Sequence, residues 1–153
     1  MKKNRSVLFY CCLALLFSFV SVFQTPLIHA QTRVSDKDVE ALMKNLKEDS
    51  KSFRSNFETA LKKSAIRRTS QEKDAKEIVS SFEKQMDSML SEFKKTKRGD
   101  VAVETAIGSA QEIDRLLRNL QLDPKTVSEW QKIRSELDRV SNAFGINAHY
   151  SRS

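Results

Sequence analysis

The chain has 153 residues, with 27 Lys and Arg against 20 Asp and Glu, a formal net charge of +7. Both cysteines, Cys11 and Cys12, and one of the two histidines fall within the first thirty residues. Residues 31–153 therefore contain a single histidine, His149, and their composition excludes a disulfide, a thiol nucleophile and a thiolate metal site.

The first thirty residues have the layout of a secretory signal. Basic residues precede an uncharged apolar run from Val7 to Phe23, and Pro26 interrupts the segment shortly before its end. A small residue then occupies the position expected for processing, so we expect cleavage between Ala30 and Gln31. The alternative is an uncleaved membrane anchor, because the run is close to the lower limit of about 17 residues for a bilayer span.

Cleavage would change the charge balance. The signal contains three basic and no acidic residues, so the exported chain would keep 24 Lys and Arg against 20 Asp and Glu, or +4 over 123 residues. This small excess suits ordinary solubility and gives no reason to expect a nucleic-acid partner. The predicted divisions are a signal peptide at 1–30, a helical bundle domain at 31–146 and a frayed tail at 147–153.

The first predicted helix begins at Ser35, whose hydroxyl can cap the free N–H groups of the first turn. Glycine and proline are nearly absent after the signal, and apolar residues recur at intervals of three and four, which indicates helices. Ser50 interrupts the apolar face of this helix, which predicts thin packing, a bend or a break. The face consists of Val39, Leu42, Leu46, Phe53, Phe57 and Leu61.

The second predicted helix begins at Thr69 with a capping box, in which Thr69 and Glu72 satisfy each other's backbone donors. It ends in a run of cations before Gly99, as helix C-termini favour. Its apolar face consists of Ala75, Ile78, Val79, Phe82, Met86, Met89, Leu90 and Phe93.

The third predicted helix is capped by Asp100 and runs to about Leu120. Asp114 and Arg118 lie four residues apart, in the order that favours a surface ion pair. Gly108 weakens the helix by about 1 kcal/mol relative to Ala and allows a close approach of a neighbouring helix. Its apolar face consists of Val103, Ile107, Ala110, Ile113, Leu117 and Leu120.

The fourth predicted helix has Asp123 as its cap and Pro124 in the first helical position. Gly145 ends it in the left-handed conformation. Trp130 lies near its start and is expected to be only partly buried. Its apolar face consists of Val127, Trp130, Ile133, Leu137, Val140 and Phe144.

Four amphipathic helices with short joins predict an all-α fold, an up-down-up-down antiparallel four-helix bundle after the N-terminal signal peptide. At 1.5 Å per residue the first two helices would be roughly 45 Å long and the last two about 30 Å.

The exported segment offers little catalytic chemistry. A di-iron centre needs Glu-x-x-His pairs, and the only histidine follows the last predicted helix. No serine has the flanking glycines of a nucleophile elbow, and no glycine-rich phosphate loop is present. A Ser-Lys arrangement stays open, but nothing in the sequence indicates one. We therefore predict no enzymatic activity, no cofactor and no metal.

Two basic clusters are the candidate binding residues, and each lies at the end of a predicted helix. They could contact an anionic partner, but we favour compensation of the helix dipole, since cations stabilise helix C-termini. In an antiparallel hairpin the clusters lie at opposite ends and do not merge. The first cluster is Lys62, Lys63, Arg67 and Arg68; the second is Lys94, Lys95, Lys97 and Arg98.

Four stretches carry a resemblance to known proteins. They are Phe53-Arg54 with Phe57 and Ala60-Leu61; Phe82-Glu83 with Asp87, Leu90 and Phe93; Ile113 to Leu117; and Trp130-x-x-Ile133-Arg134-x-Glu136-Leu137-x-x-Val140. In this order they resemble small secreted helical proteins of acidobacterial-type soil bacteria, over about Phe53 to Ile146. The resemblance implies an exported helical domain with no assigned activity, and it supplies no catalytic or cofactor residue.

Charged residues of these stretches lie beside predicted core positions. We expect some of Arg54, Asp87, Arg115 and Arg134 to pair between helices at the edge of the core and to fix the helix register.

Together these observations predict an exported, non-enzymatic interaction or structural module of the periplasm or cell envelope. A protein is the partner we expect first, because helix faces offer contact surface. The alternatives are binding of anionic envelope lipid or polysaccharide through the basic helix ends, and a membrane-tethered bundle if the signal is not cleaved.

Overall fold

The computed structural model describes residues 34–146, which form four helices. They are α1 (Asp36–Leu61), α2 (Ser70–Thr96), α3 (Asp100–Asn119) and α4 (Pro124–Ala143). α1 packs against α2 and α4, and α3 packs against the same two helices, so the four form a ring. This is the predicted up-down-up-down antiparallel four-helix bundle. The predicted signal peptide and C-terminal tail lie outside the described residues.

The helix starts confirm most of the predicted caps. The Ser35 hydroxyl accepts a hydrogen bond from Asp38 N at 3.2 Å, and Asp123 Oδ1 accepts one from Thr126 N at 3.1 Å. At the end of α4, Gly145 has φ +70 and Ile146 N donates to the Ser141 carbonyl at 2.9 Å. Side-chain caps thus set the two helix starts, and a left-handed glycine sets the end of α4.

The capping box of α2 differs from the prediction in one partner. Thr69 Oγ1 accepts from Glu72 N at 3.3 Å, as predicted. Glu72 Oε2, however, accepts from Arg68 N at 2.5 Å, while Thr69 N donates to the Ile66 carbonyl. The Glu72 carboxylate therefore fixes the residue before the cap, which has a left-handed φ of 63°.

The join between α2 and α3 corrects two predictions. Lys97, with φ 57°, takes the left-handed position after α2, so Gly99 does not. Gly99 is the N-cap of α3 and Asp100 is its first helical residue, so the predicted Asp100 cap is wrong. A Cβ on Gly99 would lie 3.0 Å from Phe144 Cζ and 3.4 Å from Met43 Cε, which explains the glycine by packing.

Gly108 plays no part in helix packing. The residue is exposed, and a Cβ there would meet no atom within 4 Å. The predicted close approach of a neighbouring helix at Gly108 is therefore wrong.

The helix α1 runs unbroken through Ser50, so the predicted break is wrong. Ser50 is 1 % exposed, and its hydroxyl donates to the Leu46 carbonyl at 2.6 Å. This bond to the preceding turn satisfies the buried hydroxyl donor without a partner from another helix.

The core centres on aromatic rings from three helices. Trp130 is 1 % exposed, and its ring centroid lies 5.2 Å from that of Phe53 and 5.3 Å from that of Phe82. The expectation of partial burial is wrong because the indole N–H finds an acceptor on α3, described below. None of the four helices combines the length and apolar character needed to cross a membrane.

Candidate functional site

Pairs of opposite charge lie at the helix interfaces, at partly exposed positions. Arg54 Nη1 lies 2.8 Å from Glu83 Oε2, which links α1 to α2, and Lys47 Nζ lies 2.6 Å from Asp87 Oδ1 across the same interface. The expectation that some of these residues pair between helices is confirmed. Arg115, in contrast, is exposed to solvent.

The Asp114 carboxylate joins α3 to α4. Its Oδ1 accepts a hydrogen bond from Trp130 Nε1 at 2.8 Å, and its Oδ2 forms an ion pair with Arg134. The side chains of Asp114 and Arg134 are 22 % and 13 % exposed. The predicted pair between Asp114 and Arg118 is wrong, because the carboxylate points to the neighbouring helix instead.

A second charged group lies between α1 and α4. Lys132 Nζ is 2.7 Å from Asp49 Oδ2 and 3.8 Å from Glu136 Oε1, so two carboxylates share one ammonium group. Burial, followed by the neighbouring Asp49 carboxylate, raises the pKa of Glu136, while Lys132 and Arg139 oppose the shift.

The first predicted binding cluster forms one end of the bundle. Lys62 caps the C-terminus of α1, and the other three residues follow in the join to α2. All four side chains are exposed. No charged side-chain nitrogen of the four lies within 4 Å of a carboxylate oxygen in the part of the chain that the structure describes. The backbone N–H of Arg68 does donate to Glu72 Oε2.

The second predicted cluster lies at the other end and is partly neutralised. Lys94 Nζ and Lys97 Nζ are 3.6 and 3.5 Å from the two carboxylate oxygens of Glu40. Lys97 Nζ also lies 5.2 Å from the centre of the Phe93 ring. Glu40 therefore partly neutralises the second cluster. The interpretation favoured from the sequence for both clusters, compensation of the helix dipole, stays a prediction.

The bundle topology makes one end much more basic than the other. Residues 62–76 contain six basic and two acidic residues, and residues 115–125, at the same end, contain three and one. At the opposite end, residues 34–44 contain two basic and three acidic residues, and residues 92–104 contain four and three. We call the end formed by residues 62–69 and 120–125 the basic end.

A cleft opens at the basic end between the end of α1 and the start of α4. Its volume is about 410 Å³. Lys63 lines it from one side and Lys125 from the other, and Lys125 Nζ lies 3.9 Å from Glu129, a loose contact. Both Asp123 oxygens already accept hydrogen bonds from Thr126. The remaining lining residues are Asn56, Thr59, Ala60, Ser64, Gln121 and Leu122.

Sequence reasoning missed Lys125, Asn56 and Gln121 as parts of this surface. They lie up to 69 positions apart in the chain and form no local motif. One signal was available, because an up-down-up-down bundle places the α1–α2 join and the α3–α4 join at the same end.

Within residues 34–146, no group of three or more acidic or histidine side chains is placed to hold a metal ion. Comparison with protein-family models, with curated proteins and with solved structures gave no match. The resemblance to small secreted acidobacterial-type proteins therefore stays a prediction.

Proposed function

We propose that the protein is an exported, non-enzymatic helical bundle that acts as an interaction module in the periplasm or cell envelope, with the basic end as its contact surface. The observation that carries the proposal is that the two basic clusters differ in how many carboxylates lie near their charged groups. Both clusters are exposed, and Glu40 lies near Lys94 and Lys97 of the second, whereas no charged side-chain nitrogen of the first lies within 4 Å of a carboxylate oxygen among residues 34–146. Exposed, clustered charge of one sign attracts partners of the opposite sign.

Export is the other half of the proposal and rests on the first thirty residues. Intact mass of the chain recovered from an envelope fraction, after expression of the full gene, tests it. A mass beginning at Gln31 supports a cleaved, exported module. A full-length mass in the membrane fraction would instead favour the membrane-tethered bundle, and a full-length mass in the cytoplasm would contradict both.

The contact surface is tested by charge reversal at matched positions. The first variant reverses charge at the basic end and carries both Lys62→Glu and Arg67→Glu. The second variant makes the same change in net charge elsewhere and carries both Lys44→Glu and Lys95→Glu. All four side chains are exposed. We expect the first variant to be absent from the envelope complex and the second to remain in it. Size-exclusion chromatography of a native envelope extract measures the difference.

Circular dichroism of both variants checks that each remains helical. Equal retention of the complex by the two variants would contradict the basic end as the contact surface. Equal loss would indicate that only total charge matters, which also contradicts it.

A further inference from the structure

The cleft at the basic end suggests which class of partner the protein binds. We propose that this cleft binds a carboxylate-bearing polysaccharide, with Lys63 and Lys125 contacting its acidic groups from opposite walls. This inference rests on the proposed function and names the partner of the same surface.

The two lysines supply the charge. Lys63 is exposed and has no carboxylate within 4 Å among the described residues, and Lys125 is 78 % exposed on its side chain with only the loose Glu129 contact. An ammonium group has three donors and pairs with carboxylates as a point charge. Two carboxylates lie beside the cleft, and each accepts hydrogen bonds from the protein. Asp123 accepts from Thr126 N and Oγ1 at 3.1 and 2.8 Å, and Glu129 accepts from Asn56 Nδ2 at 2.9 Å.

The rest of the lining suits hydroxyl groups. Gln121 carries a side-chain amide, and Thr59 and Ser64 carry hydroxyls. Asn56 offers its amide oxygen, because its Nδ2 donates to both Glu129 oxygens at 2.9 Å. The Thr59 hydroxyl donates to the Ser55 carbonyl at 3.0 Å and the Ser64 hydroxyl to the Leu61 carbonyl at 2.8 Å, which leaves their oxygens able to accept. A sugar ring presents many hydroxyl donors and acceptors, and a volume of about 410 Å³ lies within the range of small-ligand sites.

Two other anionic partners fit the basic end less well. The large hydrophobic residues that are exposed between residues 34 and 146 are Val34 and Val101, and both lie at the opposite end. A membrane-surface site combines cations with apolar side chains that enter the headgroup region. A protein interface is anchored by buried aromatic or arginine residues in an apolar centre. The basic end offers cations and polar groups, and no large hydrophobic side chain is exposed there among residues 34–146.

The test measures binding of the purified exported chain to polygalacturonate by isothermal titration calorimetry. Dextran serves as the neutral polymer, and vesicles of equal parts phosphatidylglycerol and phosphatidylcholine serve as the lipid probe. The cleft variant carries both Lys63→Gln and Lys125→Gln. The matched control variant carries both Lys44→Gln and Lys95→Gln. Thermal melts check that both variants fold.

We expect polygalacturonate to bind, dextran not to bind, and the cleft variant to lose affinity about tenfold or more while the control loses less than about twofold. Equal losses in both variants would overturn the inference, since they would indicate general charge attraction. Binding to the vesicles but not to polygalacturonate would also overturn it, as would the absence of any binding. If the Lys62 and Arg67 reversal still disrupts the envelope complex in those cases, the proposed function stands without this partner.

Discussion

Trp130 Nε1 lies 2.8 Å from Asp114 Oδ1, and this hydrogen bond crosses from α4 to α3 at the edge of the core. The same carboxylate pairs with Arg134, one turn further along α4. One acidic residue therefore satisfies the polar atom of the most central aromatic side chain and the charge of a largely buried arginine. This arrangement fixes the register of α3 against α4, because a shift of either helix would separate all three groups.

Removal of the Asp114 carboxylate is expected to destabilise the bundle strongly. Asp114→Ala leaves the indole N–H of Trp130 without its acceptor and weakens the compensation of Arg134. We expect a loss of about 2–4 kcal/mol in the free energy of unfolding, measured by urea denaturation. Asp87→Ala is the control, since Asp87 pairs with Lys47 at a site where its side chain is 63 % exposed. That change should cost less than about 1 kcal/mol. Equal losses would contradict the special role of Asp114.

Alanine is expected to have opposite effects on stability at Gly99, the N-cap of α3, and at Gly108 within α3. Gly99→Ala places a Cβ 3.0 Å from Phe144 Cζ and should destabilise the bundle by about 1–3 kcal/mol through overpacking. Gly108→Ala adds a methyl group to open space in a helix and should stabilise it by about 0.5–1 kcal/mol. Thermal melts of both variants give the comparison. A stabilising Gly99→Ala would show that the contact with Phe144 is looser than described.

Ionisation of Glu136 is expected to weaken the bundle as the pH rises. Burial and the nearby Asp49 raise the pKa of Glu136 above its ordinary value, so the folded state binds the proton more tightly than the unfolded state. The resulting stability is fully present below the unfolded pKa of about 4.5 and is lost as the pH rises through the folded pKa. Glu136 Oε2 is also buried without a hydrogen-bond partner among residues 34–146.

Glu136→Gln should therefore stabilise the protein at pH 8 by about 1 kcal/mol and have little effect near pH 4. Urea unfolding of the wild type and the variant across this range measures the difference. Glu104→Gln, at an exposed site on α3, is the control and should show no such trend. A constant difference between wild type and Glu136→Gln at all pH values would rule out the protonation of this site as the cause.

Local chemistry made the helices predictable from the sequence. The caps at Ser35, Thr69 and Asp123 and the stop at Gly145 depend on neighbouring residues alone, so reading along the chain found them. The wrong predictions concern residues whose roles depend on contacts with another helix. Gly99 owes its place to the Phe144 ring, and the Asp114 carboxylate turns away from Arg118 to reach Trp130.

The candidate site was predictable only in part for the same reason. The eight basic residues were visible as two clusters, but the partial neutralisation of the second depends on Glu40, which lies on α1, far from that cluster in the sequence. The cleft depends on Lys63 and Lys125 meeting from two separate joins. Its residues share an end of the bundle and no sequence motif, so spacing along the chain could not reveal it.

The most direct test of the central claim is photo-crosslinking in the intact envelope, because the basic end should contact the partner and the opposite end should not. A photoreactive residue replaces Ala65 at the basic end or Thr96 at the other end, both at exposed positions. We predict a crosslinked species from position 65 and none from position 96. Crosslinks from position 96 alone, or from neither position, would contradict the basic end as the contact surface.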